Sequence, residues 1–557
     1  MATEITLESL PNEIFIEFFQ YLNATDIFYS FDQLNHRFNK LIRNSPLHLN
    51  FQGFKKCLFN KFCQTIVSNP EIKQNISCLQ LSNDGTYDQI QSFISLFSLN
   101  DFIHLRSLSL IKIDYESAKH VLPMLRFLTN LYYFSYTPGR FPSINSLHEM
   151  PAISQFNVRI LTISYFNDKA TFISVNQSVT SLTIDVCFLN DLYLVLKYLQ
   201  MLKYLKVDML FDSSDKSYIL NFNNIYADHL KQLIIYSDCN YFDDVELLLK
   251  HTPYLEIFSI SSSMRHTLID DNRWQQLIEI SLPHLRIFNF CFSESSCDRY
   301  STSTNRSTFQ DTFWCKQDRY CIEYEKNGGS ASIYTIPYMD YEYTLTSTMQ
   351  RYSNSSTNHL NEFDNVKHLV LYPDAIKNDS SHFFRNVKSL SLVGKSNSDN
   401  ETDEYNIKQL EYLNMIINVS NVKILFIING SHMKLSFLLE ILKKLPNVSS
   451  LHIDKDTLIT YLENYDLTEY LKKKITTLSI SNYGDRDYLK SDQIHLIRKA
   501  FPNLEHLKCG IGNKNDLLLL LEEFFNLSTI KFKNAGYEIH SWIKSNASKL
   551  NVYLDFE

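Results

Sequence analysis

A short pattern of apolar positions recurs along most of the chain. An apolar residue is followed by two variable positions, a second apolar residue, one variable position and a third apolar residue, as in Val179-Leu182-Ile184. Such alternation predicts a short strand with one buried face. The pattern occurs sixteen times, with central residues Leu79, Leu108, Phe134, Leu161, Leu182, Leu205, Leu233, Phe258, Phe288, Leu369, Leu390, Leu425, Leu451, Leu478, Leu507 and Ile530.

These central residues are separated by 21 to 35 positions, apart from one gap of 81 between Phe288 and Leu369. The stretches between motifs are amphipathic at helical spacing in several places, for example Leu435–Leu445 and Gln493–Phe501. A strand–helix unit with a period in the twenties is typical of leucine-rich repeats, and the array resembles an irregular member of that class. The asparagine expected after each strand is mostly replaced, for example by Asp84, Asp374, Asp456 and Gly430. An ordinary α/β domain is the alternative.

The spacing of apolar residues within 7–44 predicts three short helices. Pro11 suits the first turn of the first helix, Thr25 is the predicted N-cap of the second, and Pro46 ends the third. Helices this short cannot enclose all of their apolar side chains, so part of that surface is expected to bind a partner. The apolar positions at helical spacing are Ile14, Phe15, Phe18, Phe19, Leu22, Ile27, Phe28, Phe31, Leu34, Phe38, Leu41 and Ile42.

The spacing of these residues resembles an F-box. The string Leu-Pro-x-Glu-Ile at 10–14 is followed by Leu22, Asp26-Ile27, Leu34-x-x-x-Phe38 and Leu41. The resemblance implies docking on the Skp-type adaptor of an SCF-type ubiquitin ligase, and through it on a cullin scaffold. The residues implied at or just behind that interface are Leu10, Pro11, Ile14, Leu22, Ile27, Leu34 and Phe38. Asn35 and His36 depart from the family pattern. A helical cap on the repeat array is the alternative.

The 81-residue gap contains a segment of different composition, from Glu294 to Phe363. Ser/Thr-rich stretches (Tyr300–Thr308 and Thr346–Asn358) flank two alternating segments, Phe313–Tyr324 and Ala331–Tyr338, which surround Asn327-Gly328-Gly329. This arrangement predicts a β-hairpin. The segment is equally consistent with a recognition or lid element and with a tolerated insertion.

In such a solenoid, the strand positions that do not point inward line the concave face. Asp185 and Asp208 predict a mildly acidic patch in the middle of the array, and Lys508, Lys531 and Lys533 predict a basic patch near its end. Both are candidate target contacts. A solvated face with chance clustering of charge is the alternative.

The predicted fold class is therefore α/β, with a three-helix F-box followed by an irregular leucine-rich-repeat solenoid that carries one β-hairpin insertion. The predicted boundaries are 4–50 for the F-box, 51–75 for a helical linker, 76–293 and 364–557 for the two parts of the array, and 294–363 for the insertion. A chain of 557 residues exceeds one compact core, in agreement with this division.

Composition and charge narrow the function classes. Only 11 glycines occur, about 2% against a usual ~7%, which disfavours glycine-rich phosphate loops. The net charge of -8 gives no electrostatic case for nucleic acid, and no apolar run has membrane-spanning length. The ten cysteines lack a CxxC pair, and no catalytic, cofactor or metal motif is found. The sequence begins without a signal peptide, so we expect an intracellular protein, cytoplasmic or nuclear.

Together these features predict the substrate-recognition subunit of an SCF-type ligase, which is not itself an enzyme. The F-box would bind the adaptor and the array would bind a target protein of unknown identity. A leucine-rich scaffold without a ligase role is the alternative, and an unrecognised hydrolase built on the insertion is a distant third.

Overall fold

A computed structural model provides the coordinates. It describes residues 7–54, 56–84, 88–139, 158–166, 178–211, 226–237, 242–262, 270–294, 312–315, 321–327, 330–353, 361–378, 380–394, 407–430, 433–481, 488–535, 537–546 and 552–556. The fold is mixed α/β with large parallel sheets, and the chain divides into two compact units. Unit 1 comprises residues 1–233 and 251–255, and unit 2 comprises residues 234–250 and 256–557.

The sixteen apolar motifs are strands. Every central residue lies in a strand and is at most 2% exposed, which confirms the predicted strand positions. In unit 1, seven strands pair in parallel in chain order. These are β1 Leu47–Asn50, β2 Ile76–Ser82, β3 Ser107–Ile113, β4 Tyr133–Pro138, β5 Ile160–Phe166, β6 Ser181–Phe188 and β7 Tyr204–Phe211. The first strand, β1, precedes the first predicted motif.

The helices of unit 1 include the N-terminal three and those that return between strands. They are α1 Asn12–Phe19, α2 Ala24–Phe31, α3 His36–Ile42, α4 Lys56–Ser68, α5 Ile72–Asn75, α6 Gln89–Leu96, α7 Tyr115–Val121 and α8 Leu189–Tyr198. The predicted linker thus carries α4, whose Phe62 packs edge-on against Phe28 with ring centroids 5.5 Å apart. The three N-terminal helices therefore share a hydrophobic core with the start of the array.

The unit boundary falls within β8 Gln232–Ser237, and unit 2 continues with α9 Phe242–Lys250, β9 Ile257–Ser262, α10 Asp271–Ser281 and β10 Ile287–Glu294. The insertion adds α11 Thr312–Cys315, β11 Cys321–Asn327, β12 Ser330–Ile336, β13 Glu342–Leu345 and β14 Met349–Ser353. The predicted hairpin is present as the antiparallel pair β11–β12, which β10 and β14 flank. Its first arm begins at Cys321 and not at Phe313, because Phe313 lies in α11. Of the predicted turn, Gly328 and Gly329 lie outside the described residues, as does Tyr300–Thr308.

The insertion also starts a second sheet. Strand β13 pairs in parallel with β15, and each later strand pairs with the next. The strands are β15 His368–Leu371, β16 Ser389–Val393, β17 Ile424–Ile428, β18 Ser450–Asp454, β19 Thr477–Ser481, β20 His506–Ile511, β21 Thr529–Ala535 and β22 Tyr553–Phe556. The helices are α12 Leu413–Ile416, α13 Leu435–Lys444, α14 Lys455–Leu462, α15 Tyr465–Lys474, α16 Ser491–Ala500, α17 Lys514–Glu523 and α18 Tyr537–Asn546.

A repeated side-chain bond joins neighbouring repeats at the turn before the strand. Asn386 Nδ2 donates to the backbone carbonyl of Asp364 at 3.0 Å, and Asn447 Nδ2 donates to that of Ser420 at 2.7 Å. Lys474 Nζ makes the equivalent bond to Pro446 at 3.0 Å. The same bond is made by Asn130, Asn365 and Asn421 at 2.9 Å. The asparagines that join the repeats therefore precede the strands, where they satisfy carbonyls that the turn leaves open.

Aspartates near the strand ends instead cap the helices that follow. Asp454, the last residue of β18, accepts a hydrogen bond from the Thr457 amide at 2.9 Å and so caps α14. Asp114 caps α7 through the Ser117 amide at the same distance. Such caps satisfy helix amides that have no intrahelical partner. At these two strand ends an aspartate, and not an asparagine, therefore caps the helix that starts directly after the strand.

Candidate functional site

The three N-terminal helices enclose a small aromatic core. The rings of Phe15 and Phe38 meet edge to face with centroids 4.9 Å apart, and Phe31 lies 5.3 Å from Phe38. Phe15, Phe19, Ile27 and Phe38 are at most 2% exposed. The N-cap of α2 is Asn23, whose side chain accepts a hydrogen bond from the Thr25 amide at 3.4 Å. The predicted Thr25 cap was wrong because the helix begins two residues earlier than that cap implies, at Ala24.

Arg37 holds the segment before α1 against α3. Its guanidinium donates to the backbone carbonyls of Glu8 and Leu10, and its Nε donates to Asn12 Oδ1 at 2.8 Å. Asn35 donates to Glu8 Oε1 at 2.9 Å and, through its own oxygen, caps α3 at the Phe38 amide at 3.0 Å. The residue that departs from the family pattern at 35 therefore has a local structural role.

The outer surface of these helices is rich in apolar side chains. Of the predicted adaptor contacts, Pro11, Ile14 and Leu34 are exposed, Leu10 and Leu22 are half-buried, and Ile27 and Phe38 lie in the core. Four other exposed apolar residues, Leu7, Phe18, Tyr21 and Tyr29, were not among the predicted adaptor contacts, although the spacing had placed Phe18 on the apolar face of the first helix. We define the apolar surface as Leu7, Ile14, Phe18, Tyr21, Tyr29 and Leu34, which are 46% to 86% exposed.

The strand face of unit 1 carries the predicted acidic residues, Asp185 and Asp208. Asp208 is paired with Lys206 at 2.7 Å, so its charge is offset locally. Burial raises the pKa of Asp185, and repulsion from Asp208 adds to that shift, while a hydrogen bond from Ser164 and attraction to Lys206 oppose it. The predicted patch is therefore a mixed cluster with one cation and two carboxylates, and its net charge is small.

The strand face of the second sheet has a different character. In register across four strands lie Phe426, His452, Ser479 and Lys508, and Lys531 follows on the next strand. The His452 ring stacks on Phe426 with centroids 4.0 Å apart. Lys533 lies two residues beyond Lys531 and is exposed, while Asp555 on β22 is the register partner of Lys531. The structure therefore brings the three predicted lysines together beside an aromatic pair.

The titration of His452 predicts an acid-sensitive step in stability. Burial, reinforced by repulsion from Lys508, lowers the pKa of His452 from 6.5 to about 4. Protonating the ring costs more in the folded chain than in the unfolded chain, so stability is lost as the pH falls from about 6.5 to about 4. We expect the denaturation midpoint of His452→Gln to change less with pH over this interval than that of the wild-type chain. An unchanged pH profile in that variant would contradict the assignment.

The insertion contains a buried ionic cluster. Arg351 forms a bidentate pair with Glu323, with one N–O distance of 2.6 Å, and contacts Glu362 at 2.6 Å. The Arg351 and Glu323 side chains are 13% and 3% exposed. Burial works against the charge of Arg351, but the two carboxylates outweigh it and raise the pKa of the guanidinium. The cluster ties β11 to β14 and to residue 362, just before the second sheet resumes.

A second buried group adjoins the first. Tyr343 donates to Glu325 Oε1 at 2.5 Å, and His382 Nε2 lies 2.7 Å from the same oxygen. Burial opposes ionisation of Glu325, but hydrogen bonds and charge attraction from His382, with hydrogen bonds from tyrosines, lower the pKa of that carboxyl. Glu325, Tyr343 and His382 are at most 5% exposed. The group therefore links β11 and β13 to the segment before β16 through buried polar contacts.

Comparisons with known proteins add little to this geometry. No family model matches the chain, and no curated protein matches it. Among solved structures it is similar to the crystal structure of the Rad7 and Elc1 complex in yeast, over 92% of this chain and 94% of that chain, at 12% identity and a TM-score of 0.24. A TM-score this low carries no argument about fold or partners. The proposed function therefore rests on the residues of this chain and their geometry.

The described residues contain neither a metal-binding cluster nor a membrane-spanning helix. Among them, no three His, Cys, Asp or Glu side chains are grouped as a metal ion requires. Four of the ten cysteines lie close together in sequence, between residues 291 and 321. Cys291 is buried and Cys321 is partly exposed, while Cys297 lies outside the described residues. None of the described helices combines the length and apolar character of a membrane span.

Proposed function

We propose that the chain is a substrate-receptor subunit of an SCF-type ubiquitin ligase. The N-terminal helices bind the Skp-type adaptor, and the strand–helix repeats bind a target protein. The observation that carries the proposal is the apolar surface. The helices already bury a full aromatic core, and yet six large apolar side chains remain outside it. Surfaces of this kind on small helical modules mark protein-binding sites.

The proposed mechanism is proximity. The adaptor-bound receptor raises the effective concentration of a target lysine near the charged ubiquitin-transfer enzyme, and the chain supplies no catalytic group. The target side of the proposal rests on the strand faces, where the basic residues Lys508, Lys531 and Lys533 stand beside the Phe426–His452 pair. A rigid scaffold of parallel strands suits this task because it presents side chains from many repeats on one face.

A second candidate function is a repeat scaffold whose N-terminal helices act only as a cap. One contact favours it: Phe28 of α2 packs on Phe62 of α4, so the helices cover the start of the array. A cap would shield that core and would bind no adaptor. The two candidates therefore differ in whether the wild-type chain captures the adaptor at all.

Charge substitutions on the apolar surface test the proposal. Ile14 and Leu34 are 46% and 58% exposed, so Ile14→Asp and Leu34→Asp leave the aromatic core intact while placing a carboxylate in the interface. We expect each to weaken co-purification with the Skp-type adaptor at least ~30-fold, since a buried unpaired charge costs ~2 kcal/mol or more. Pull-down and calorimetry on the full chain measure the effect.

Ile280→Asp is the matched control, because Ile280 is 79% exposed and lies on α10 in unit 2. It should bind the adaptor like the wild-type chain. Adaptor binding that survives both Ile14→Asp and Leu34→Asp would overturn the interface. A wild-type chain that captures no adaptor would favour the cap function.

A further inference from the structure

A histidine, a cysteine and a serine form a row at the start of the unit 1 sheet. His48 on β1 is the register partner of Cys78 on β2, and Cys78 is the register partner of Ser107 on β3. Register partners in a sheet point to the same side and lie about 5 Å apart. The buried neighbours Leu49 and Leu79 point to the core, so the row lies on the opposite side, where all three residues are partly exposed.

Polar side chains surround the Cys78 thiol. It lies within reach of the His48 imidazole and of the hydroxyls of Ser77 and Ser107, and the Ser77 hydroxyl donates its proton to the Leu47 carbonyl at 3.2 Å. The His48 ring also bonds to the backbone of Gln20, and its strand position bridges Asn23. His48 is therefore held in place from both sides, by the sheet and by the segment that joins α1 to α2.

This arrangement stabilises the charged forms of both side chains. Burial alone would raise the pKa of Cys78, but the hydrogen bond and charge of His48, with the two serines, outweigh burial and lower it. The hydrogen bond to Cys78 raises the pKa of His48, while burial opposes that shift. At a given pH a larger fraction of Cys78 is therefore present as thiolate, the nucleophilic form of cysteine, than in a cysteine without such a partner.

We propose that Cys78 is a thiol-modification site that reacts with low-molecular-weight disulfides of the glutathione disulfide class. The Cys78 thiolate attacks one sulfur of the reagent, a Cys78–sulfur bond forms, and the reagent's S–S bond breaks. The departing thiolate leaves with the electron pair of that bond and takes a proton from the His48 imidazolium or from water. Cys78 is oxidised to the mixed disulfide, and half of the reagent is reduced to a thiol.

The other described cysteines are the references against which the reactivity of Cys78 is compared. Cys63, Cys187, Cys291 and Cys509 are buried, and burial raises the pKa of both Cys63 and Cys509 to about 12. Cys57 is exposed on α4 and serves as the internal reference. If exposure alone governed the reaction, Cys57 would react faster than the partly exposed Cys78. The proposal requires the opposite order at low pH.

Site-resolved mass spectrometry of the native full-length chain tests the proposal. The chain is treated with glutathione disulfide, and separately with iodoacetamide, between pH 5.5 and 9. We expect Cys78 to be modified faster than Cys57 at pH 6.5 and to keep its rate to lower pH. His48→Gln should reduce the Cys78 rate about threefold for each unit by which its thiol pKa rises, because the thiolate fraction falls about tenfold while each thiolate becomes about threefold more nucleophilic, with Cys57 unchanged. Ser107→Ala should reduce it less.

Two results would overturn the proposal. One is a Cys78 rate no greater than that of Cys57 at pH 6.5 in the wild-type chain. The other is an unaltered Cys78 rate in folded His48→Gln. Circular dichroism establishes whether that variant folds, and if it does not, Ser107→Ala and the wild-type pH profile still decide the question. Adaptor binding plays no part in these measurements, so their outcome is independent of the proposed ligase role.

Discussion

Arg351→Met is expected to lower the free energy of unfolding of unit 2 by about 3–5 kcal/mol. The substitution keeps an aliphatic side chain of similar length but removes the cation that two carboxylates share. Glu323, 3% exposed, would be left as a buried charge beside Glu362. A carboxylate in that position must either remain uncompensated or take up a proton, and both cost free energy. Chemical denaturation followed by tryptophan fluorescence measures the loss.

A surface pair provides the control. Lys443 and Glu440 on α13 are 2.7 Å apart, but their side chains are 50% and 36% exposed. Lys443→Met should change stability by less than about 0.5 kcal/mol, because exposed pairs contribute little. Adding Glu323→Gln to Arg351→Met should restore part of the loss by removing the buried charge. Equal effects of Arg351→Met and Lys443→Met would show that the cluster is not the source of stability.

The sequence was sufficient to locate the sixteen strands that carry the apolar motif. Leucine, isoleucine and valine two residues apart can bury both side chains only on an extended backbone, and the sixteen motifs are accordingly strands. The register of Leu182 with Leu205 also follows from the repeat, because equivalent positions of neighbouring units stack. The motif could not reveal strands that lack its spacing. One of these is β1, where Leu47 and Leu49 are preceded by Asn44 and not by an apolar residue at the first motif position.

The insertion shows where pattern reasoning stops. Alternation on a strand ordinarily assigns acidic residues to the solvent face. Glu323 and Glu325 instead point inward, where Arg351 pairs with Glu323 and His382 Nε2 lies 2.7 Å from Glu325 Oε1. Those partners lie 28 and 57 residues away, so only the assembled sheet brings the charges together. No local signal distinguishes these carboxylates from exposed ones.

The helical surface was partly predictable for a similar reason. Spacing identified most of the apolar positions in α1 to α3, yet it could not say which of them face inward. Three helices can bury either Phe15 and Phe19 or Ile14 and Phe18, and the choice is made by contact with Phe38 and Phe31. Ile27 and Phe38, implied as being at or behind the adaptor interface, accordingly lie in the core.

Phe38→Ala should therefore abolish the proposed adaptor binding by a different route from Ile14→Asp. Removing a ring that is fully buried against Phe15 and Phe31 costs about 3–5 kcal/mol. A module of three short helices has little stability to lose, so we expect residues 7–44 to unfold while the repeats stay folded. Hydrogen exchange should show lost protection across α1 to α3 with unchanged protection in β15 to β21.

Phe18→Ala separates the two routes, because it removes the same atoms from the apolar surface. Phe18 is 49% exposed, so its truncation should cost less than about 1 kcal/mol of stability. Exchange protection in α1 to α3 should then persist while adaptor affinity falls. If Phe38→Ala instead retained protection and lost only affinity, Phe38 would be an interface contact, and the division of these helices into core and binding surface would be wrong. The pair of variants thus tests packing and recognition separately on one small module.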